Sequence, residues 1–145
     1  MKVIVRNRYS HEYEIEERYI CGVALLGSEV KSIRLGKVSI DEAIVGFQSG
    51  RPFIFNMHVS PYQGSHFNPD PTRARALLLK KKEIERMYGL TTRKGYKIIP
   101  LAVLIKDNKL IKIEIGIGKR KKIEDRRMKI LEKEERRKIR QIKLN

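Results

Sequence analysis

Residues 96 to 117 read YKIIPLAVLIKDNKLIKIEIGI, and this stretch decides the fold. In its second half Ile111, Ile113, Ile115 and Ile117 alternate with Lys112, Glu114 and Gly116. A period of two places four isoleucines on one face of a sheet. In the first half, Tyr96 to Ile105 is rich in residues that favour strands, and Lys106-Asp107-Asn108-Lys109 supplies turn chemistry between the halves. The pattern predicts a β-hairpin. Pro100 cannot donate to a ladder, so its arm must carry a bulge or lie at an edge.

Working outward, a second hairpin is expected over Ile40 to Val59. Its arms are Ala43 to Gln48 and Phe53 to Val59, joined through Ser49-Gly50-Arg51-Pro52. A long strand from about Tyr13 to Leu25 has Gly22 as a possible bend. Two helices interrupt the strands. One is short, Ser28 to Leu35, closed by Gly36, with Val30, Ile33 and Leu26 facing inward and Lys31, Arg34 and Lys37 outside. The other is expected over Thr72 to Tyr88, with Asp70 as cap, Pro71 at the first position and Gly89 as a left-handed stop. Five or six strands with two short helices predict a mainly β, OB-like barrel, an architecture that often binds oligonucleotides.

The other end of the chain is of a different kind. Lys119 to Asn145 carries 13 Lys/Arg against five Asp/Glu, a net +8 out of +16 for all 145 residues, with no aromatic, Gly or Pro. Such a segment buries too little to order itself, yet its residues favour helix. It is expected to be disordered when free and helical against a polyanion. The organisation is thus a barrel domain over 1–118 and a basic tail over 119–145. The barrel part is itself a net +8. With 41% apolar and 34% charged residues the chain is globular and basic, and RNA is the favoured polyanion. A membrane surface fits less well, because the tail lacks the bulky aromatic face of an interfacial helix and Glu135 breaks its apolar stripe.

No apolar run approaches a bilayer span and no secretory signal opens the chain, so a soluble, cytoplasmic protein is expected. Cys21 is the single cysteine, which excludes an internal disulfide. There is no phosphate-binding glycine loop and no C-x-x-C, so neither cofactor nor metal is expected. His11 and His58, or His66, could in principle form an acid-base pair in an RNA-cleaving enzyme. Lone histidines in β-rich proteins are usually packing or surface residues, which favours a binding protein instead, and a monomer is expected. His58, Tyr62 and His66 are also candidates for stacking on unpaired bases.

The motifs His11-Glu12-Tyr13, Gly27-Ser28-Glu29-Val30-Lys31-Ser32, Gly36-Lys37, His58-Val59-Ser60-Pro61-Tyr62, Asp70-Pro71-Thr72-Arg73, Leu77-Leu78-Leu79 and Lys94-Gly95-Tyr96 run in order along nearly the whole chain. They are followed by Gly116-x-x-Lys119-x-Lys121-Lys122 and Asp125-Arg126-Arg127. In this the chain resembles the SsrA-binding proteins (small protein B) of bacterial trans-translation. The resemblance implies an OB-like barrel that docks on the tRNA-like domain of transfer-messenger RNA (tmRNA) and with it mimics a tRNA on a stalled ribosome. The tail would enter the empty mRNA channel at the small-subunit decoding centre. A general single-strand-binding OB module is the alternative. The implied RNA contacts are His11, Tyr13, Gly22, Glu29, Lys31, Arg34, Lys37, Arg73, Arg75 and Leu78. Glu29 serves equally as a helix-start carboxylate, and Leu78 equally as a core residue. The implied ribosomal contacts are Lys119, Arg120, Lys121, Lys122, Asp125, Arg126, Arg127 and Ile130. The chain departs from many relatives at Ile20, where they have an acid, at Ile44, where they have an aromatic, and at Glu124, where they have His or Tyr. The tail also lacks their Trp.

Overall fold

The computed structural model describes residues 1–121. The expectations for Lys122, Asp125, Arg126, Arg127, Ile130 and the helical tail lie outside the described residues. In chain order the elements are β1 (Lys2–Arg6), a 3-10 turn (Ser10–Glu12), β2 (Tyr13–Val23), α1 (Gly27–Arg34), β3 (Val38–Ser39), β4 (Ile44–Gln48) and β5 (Arg51–Phe55). These are followed by β6 (His58–Val59), β7 (Arg75–Leu78), α2 (Lys81–Thr91), β8 (Tyr96–Lys106) and β9 (Leu110–Arg120).

The expected β8–β9 hairpin is present. Lys106 pairs with Leu110 around Asp107 and Asn108, both at positive φ (52° and 57°), the turn hand that matches strand twist. The ladder shifts register between Pro100 and Ala102, so the proline is accommodated at a bulge. Ile113, Ile115 and Ile117 are fully buried, as their spacing requires. The antiparallel pairings β8–β4, β4–β5, β5–β7, β7–β2, β2–β9 and β9–β8 close a ring of six strands, with β1 added outside β8. Closure removes the edges of the ring and leaves β1 as its outer strand. The core is Val45, Ile54, Leu77, Ile98, Val103 and the β9 isoleucines, with Ile33 of α1 and Met87 of α2 packed on it.

Three expectations need correction. The β4–β5 hairpin turns on Ser49-Gly50 alone (φ 51° and 76°). Arg51 and Pro52 already belong to β5, where the buried Pro52 pairs with Phe47. The second arm also breaks at Asn56 (φ 62°), so His58–Val59 leaves the barrel to pair with β3. The third correction is larger: Thr72 to Tyr88 is not one helix. Asp70 accepts from the Thr72 amide and hydroxyl in a local turn, Arg75–Leu78 is a strand, and the helix begins at Lys81. Leu77 and Arg75 both point inward, a period of two that the helical punctuation of Asp70-Pro71 and Gly89 disguised. Gly89 lies inside α2, which ends at Thr91. The hydroxyls of Thr91 and Thr92 donate to the carbonyls of Tyr88 and Gly89, and the left-handed residue is Gly95. No helix among the described residues is long and apolar enough to cross a membrane.

Candidate nucleic-acid interface

The structure brings two of the sequence-derived candidates together. Gly22 of β2 and Leu78 of β7 are direct cross-strand partners. A Cβ on Gly22 would stand 3.3 Å from the Leu78 Cβ, so the missing side chain lets the leucine lie across the strand. Leu78 is 60% exposed, which removes its core reading: Leu77 takes the core position and Leu78 faces out. Around the pair runs a groove of 620 Å³ lined by Ile20, Arg51, Pro52, Leu79, Lys80 and Lys112 among others. Its floor is apolar, and Arg51, Lys80 and Lys112 outnumber the one acid of its lining, Glu83.

The apolar surface continues around the barrel. Strand alternation points Ile44, Phe53 and Phe55 outward while Val45 and Ile54 fill the core. The Phe53 and Phe55 rings are 6.3 Å apart, and Phe55 lies over Gly46, whose Cβ would approach the ring to 3.2 Å. Ile20 and Ile44 are each about half exposed. Sequence reasoning missed Phe53, Phe55, Arg51 and Lys112 as surface candidates. The available signal was the two-residue alternation of β4 and β5, which puts aromatics opposite the core face.

Arg75, expected at the RNA surface, is instead interior, and Glu29 takes the helix-start role that was its other reading. Arg75 is wholly buried and Glu29 is 2% exposed. Arg75 Nε donates to Glu29 Oε2 at 2.5 Å, its Nη1 to the carbonyls of Met57 and Arg73, and its Nη2 to that of Pro71. Arg73, partly exposed, donates through Nη2 to Glu29 Oε1 and through Nε to Glu29 Oε2. The Leu26 amide at the start of α1 completes the set. Burial works against the charged carboxylate, but the bonds from Arg73, Leu26 and Arg75 outweigh it and hold the Glu29 pKa below its usual value. Burial draws the Arg75 pKa down while Glu29 opposes it. These are structural charges, saturated by protein partners. Phosphate contact from Arg75 is therefore ruled out in this fold.

The other candidates are surface groups. Lys31 and Arg34 project from α1, with Lys37 just beyond it; Lys31 Nζ sits 5.4 Å from the Tyr62 ring centre. His11 is exposed, with Nδ1 3.1 Å from the Arg8 carbonyl oxygen. Tyr13 begins β2, roughly 30 Å of strand from Gly22, so these two do not share the Leu78 groove. Lys119 and Arg120, assigned to the tail, are residues of β9. Lys119 lies 4.9 Å from the Tyr96 ring, Arg120 Nη2 donates to Glu12 at 3.1 Å, and the Lys121 amide donates to the Glu12 carbonyl. Cys21 is buried beneath the groove, and burial pushes its thiol pKa up to about 12. No group of His, Cys, Asp and Glu among the described residues could hold a metal ion.

An apolar, cation-rimmed barrel face and motifs running the whole length of the chain narrow the comparison to one family. Residues 4–144 match the SmpB protein family. The chain belongs to it. The SsrA-binding protein of Alkaliphilus oremlandii is 46% identical over 95% of this chain and 90% of its own length, and that of Bacillus subtilis 44% over 95% and 89%. Among solved structures, one described as "tmRNA-SmpB: a journey to the center of the bacterial ribosome" superposes with a TM-score of 0.69 at 39% identity. The match covers 82% of this chain and 85% of that one. Membership of the SmpB family agrees with the OB-like barrel described above.

Proposed function

We propose that this protein is a non-catalytic, cytoplasmic RNA-binding adaptor of ribosome rescue. It docks on the tRNA-like domain of tmRNA and delivers it to stalled ribosomes in trans-translation. The observation that carries the reading, beside family membership, is the Gly22–Leu78 groove. An exposed leucine held flat over a glycine, flanked by outward phenylalanines and rimmed by Arg51, Lys80 and Lys112, suits a folded RNA whose bases are partly unstacked. The cations position phosphates and the apolar floor accepts base and sugar surface. Lys31, Arg34 and Lys37 add phosphate contacts from α1, and Arg73 keeps one partly exposed edge for the same use. His11 and Tyr13 would meet the RNA at the far end of β2. The tail beyond Lys121, with ten Lys/Arg against five Asp/Glu, would follow the vacant mRNA channel. An acid-base enzyme is disfavoured, because neither His58 nor His66 makes an orienting side-chain hydrogen bond among the described residues.

The test is binding of a tRNA-like-domain transcript. Leu78→Ala should weaken binding roughly ten- to 150-fold, since burying an exposed leucine is worth about 1.5–3 kcal/mol, and should leave the melting temperature unchanged. Affinity should fall about a thousandfold between about 50 and 200 mM salt for some six phosphate contacts. Truncation after Lys121 should keep this binding and abolish rescue. A Leu78→Ala protein that binds as tightly as the parent would refute the groove as docking face. Preference for unpaired oligonucleotides over the folded transcript would favour the general single-strand binder.

A further inference from the structure

Phe67 is the most exposed large apolar side chain among the described residues, at 68%. It lies in the segment Ser60 to Asp70, which carries no helix or strand. The segment is nevertheless tightly built. The Tyr62 amide donates to Asn68 Oδ1 (2.9 Å) and Asn68 Nδ2 donates back to the Tyr62 carbonyl (3.1 Å), closing a ring around residues 62–68. The Ser65 amide donates to the same carbonyl, and Ser65 Oγ donates to the Phe67 carbonyl at 2.8 Å. Gly64 is packed on the Tyr62 ring, where a Cβ would meet it at 2.9 Å. At the base, the Ser60 amide donates to the Lys37 carbonyl and Val59 to that of Pro71. The loop therefore holds a bare aromatic ring in a fixed frame at the conformational cost of folding, with little left to order on binding.

Its surroundings are positive. No acidic residue occurs from Ala43 to Pro69, and the Asp70 carboxylate is spent on Thr72. Lys31 lies over Tyr62, and Lys37 is bonded through its carbonyl to the loop base. Neither lysine forms an ion pair among the described residues, a property they share with the other lysines described. An exposed ring on a loop that meets one lysine at Tyr62 and another at its base suits an unpaired nucleotide, its base on the ring and its phosphate at the amines.

Resting on the RNA-binding reading above, we propose that the Tyr62–Asn68 loop is a second RNA contact, in which Phe67 stacks on one unpaired base while Lys31 and Lys37 hold its phosphate. None of these residues lines the Gly22–Leu78 groove, so the loop extends the α1 phosphate contacts into a base contact apart from that groove.

The chain has no tryptophan, so Phe67→Trp in the full-length protein gives a fluorophore at the site alone. Titration with a ten-nucleotide oligoadenylate at low salt should quench its emission saturably, and a duplex of equal length should not. Adding Lys31→Ala and Lys37→Ala should weaken the quench more than fivefold. Phe67→Ala should lower oligoadenylate affinity on the order of tenfold with an unchanged melting curve. Leu78→Ala should weaken binding of the tRNA-like domain yet spare the quench. Absence of quenching, equal quenching by duplex, or indifference to the two lysines overturns the proposal. If the tRNA-like transcript still binds in that case, the main functional reading stands and only the second contact is lost. If neither RNA binds, both fall.

Discussion

Glu29→Gln separates a structural charge from a binding residue. The carboxylate is nearly inaccessible and receives Arg75 at 2.5 Å, Arg73, and the Leu26 amide at 2.8 Å. Making it neutral leaves the Arg75 guanidinium buried with three carbonyls and no counter-charge. Breaking one side of a buried pair costs about 3–5 kcal/mol. Domains of this size have about 5–15 kcal/mol to lose. At about 4 °C per kcal/mol for a domain near this length, the melting temperature should drop by roughly 12–20 °C. RNA affinity of the protein that remains folded in the cold should change little, because the isosteric amide keeps one acceptor oxygen and leaves α1, β7 and the loop docked. The pH dependence has a defined sign. Because the Glu29 pKa is lowered on folding, its contribution is complete above the ordinary carboxylate value. It is lost as pH falls through the depressed folded value. The parent should therefore lose stability on acidification below about pH 4.5, and Glu29→Gln should show a shallower acid slope. Glu29→Leu with Arg75→Met should regain only part of the loss. The apolar pair suits the interior, but the carbonyls of Met57, Arg73 and Pro71 then lose their donor, at about 1–3 kcal/mol for each one left dry. Urea titration at several pH values reads all of this. A Glu29→Gln protein of parental stability that binds RNA poorly would refute the argument and return Glu29 to the interface.

Two further outcomes follow from close packing and burial. Gly118→Ala would put a Cβ 2.0 Å from the Glu14 carbonyl oxygen and 2.9 Å from the Ile15 Cα, both backbone. No rotamer relieves that, so calorimetry should show a loss of about 3 kcal/mol or more, and a neutral result would mean that the β2–β9 register differs. Cys21, with its thiol pKa pushed up to about 12, should resist a thiol reagent at pH 8 in native protein and react at once in urea, since the thiolate is the nucleophile; rapid native labelling would contradict its burial.

Periodicity carried the barrel. Four isoleucines at spacing two, a polar turn and a misplaced proline identify β8 and β9 without reference to anything distant. The same local logic failed at residues 70 to 91, because Asp70-Pro71 and Gly89 are good helix punctuation and four β7 residues are too few to display a period. What converts Arg75–Leu78 into a strand is tertiary: Gly22 and Val23 on one side and Phe53 and Ile54 on the other supply its hydrogen-bonding partners. The candidate site divides in the same way. Gly22 and Leu78 were recoverable as residues, but not as neighbours 56 positions apart. The role of Arg75 was misread because a buried arginine has no sequence signature apart from its partner, and that partner, Glu29, lies 46 residues away.

The buried charges also explain how separate contact surfaces keep their relation. Glu29 belongs to α1, which presents Lys31 and Arg34. Arg75 belongs to β7, which presents Leu78 three residues on. Pro71, held by Arg75, ends the loop that presents Phe67. One carboxylate and one guanidinium therefore fix three elements that carry the proposed RNA contacts. Apolar contacts would tolerate sliding, because their energy changes little with angle. A fork of hydrogen bonds does not, because its strength falls steeply with misalignment. An adaptor that recognises the outline of a folded RNA needs its contacts held at constant separation, so the expense of burying an ion pair is placed where three binding elements converge and not within the barrel core.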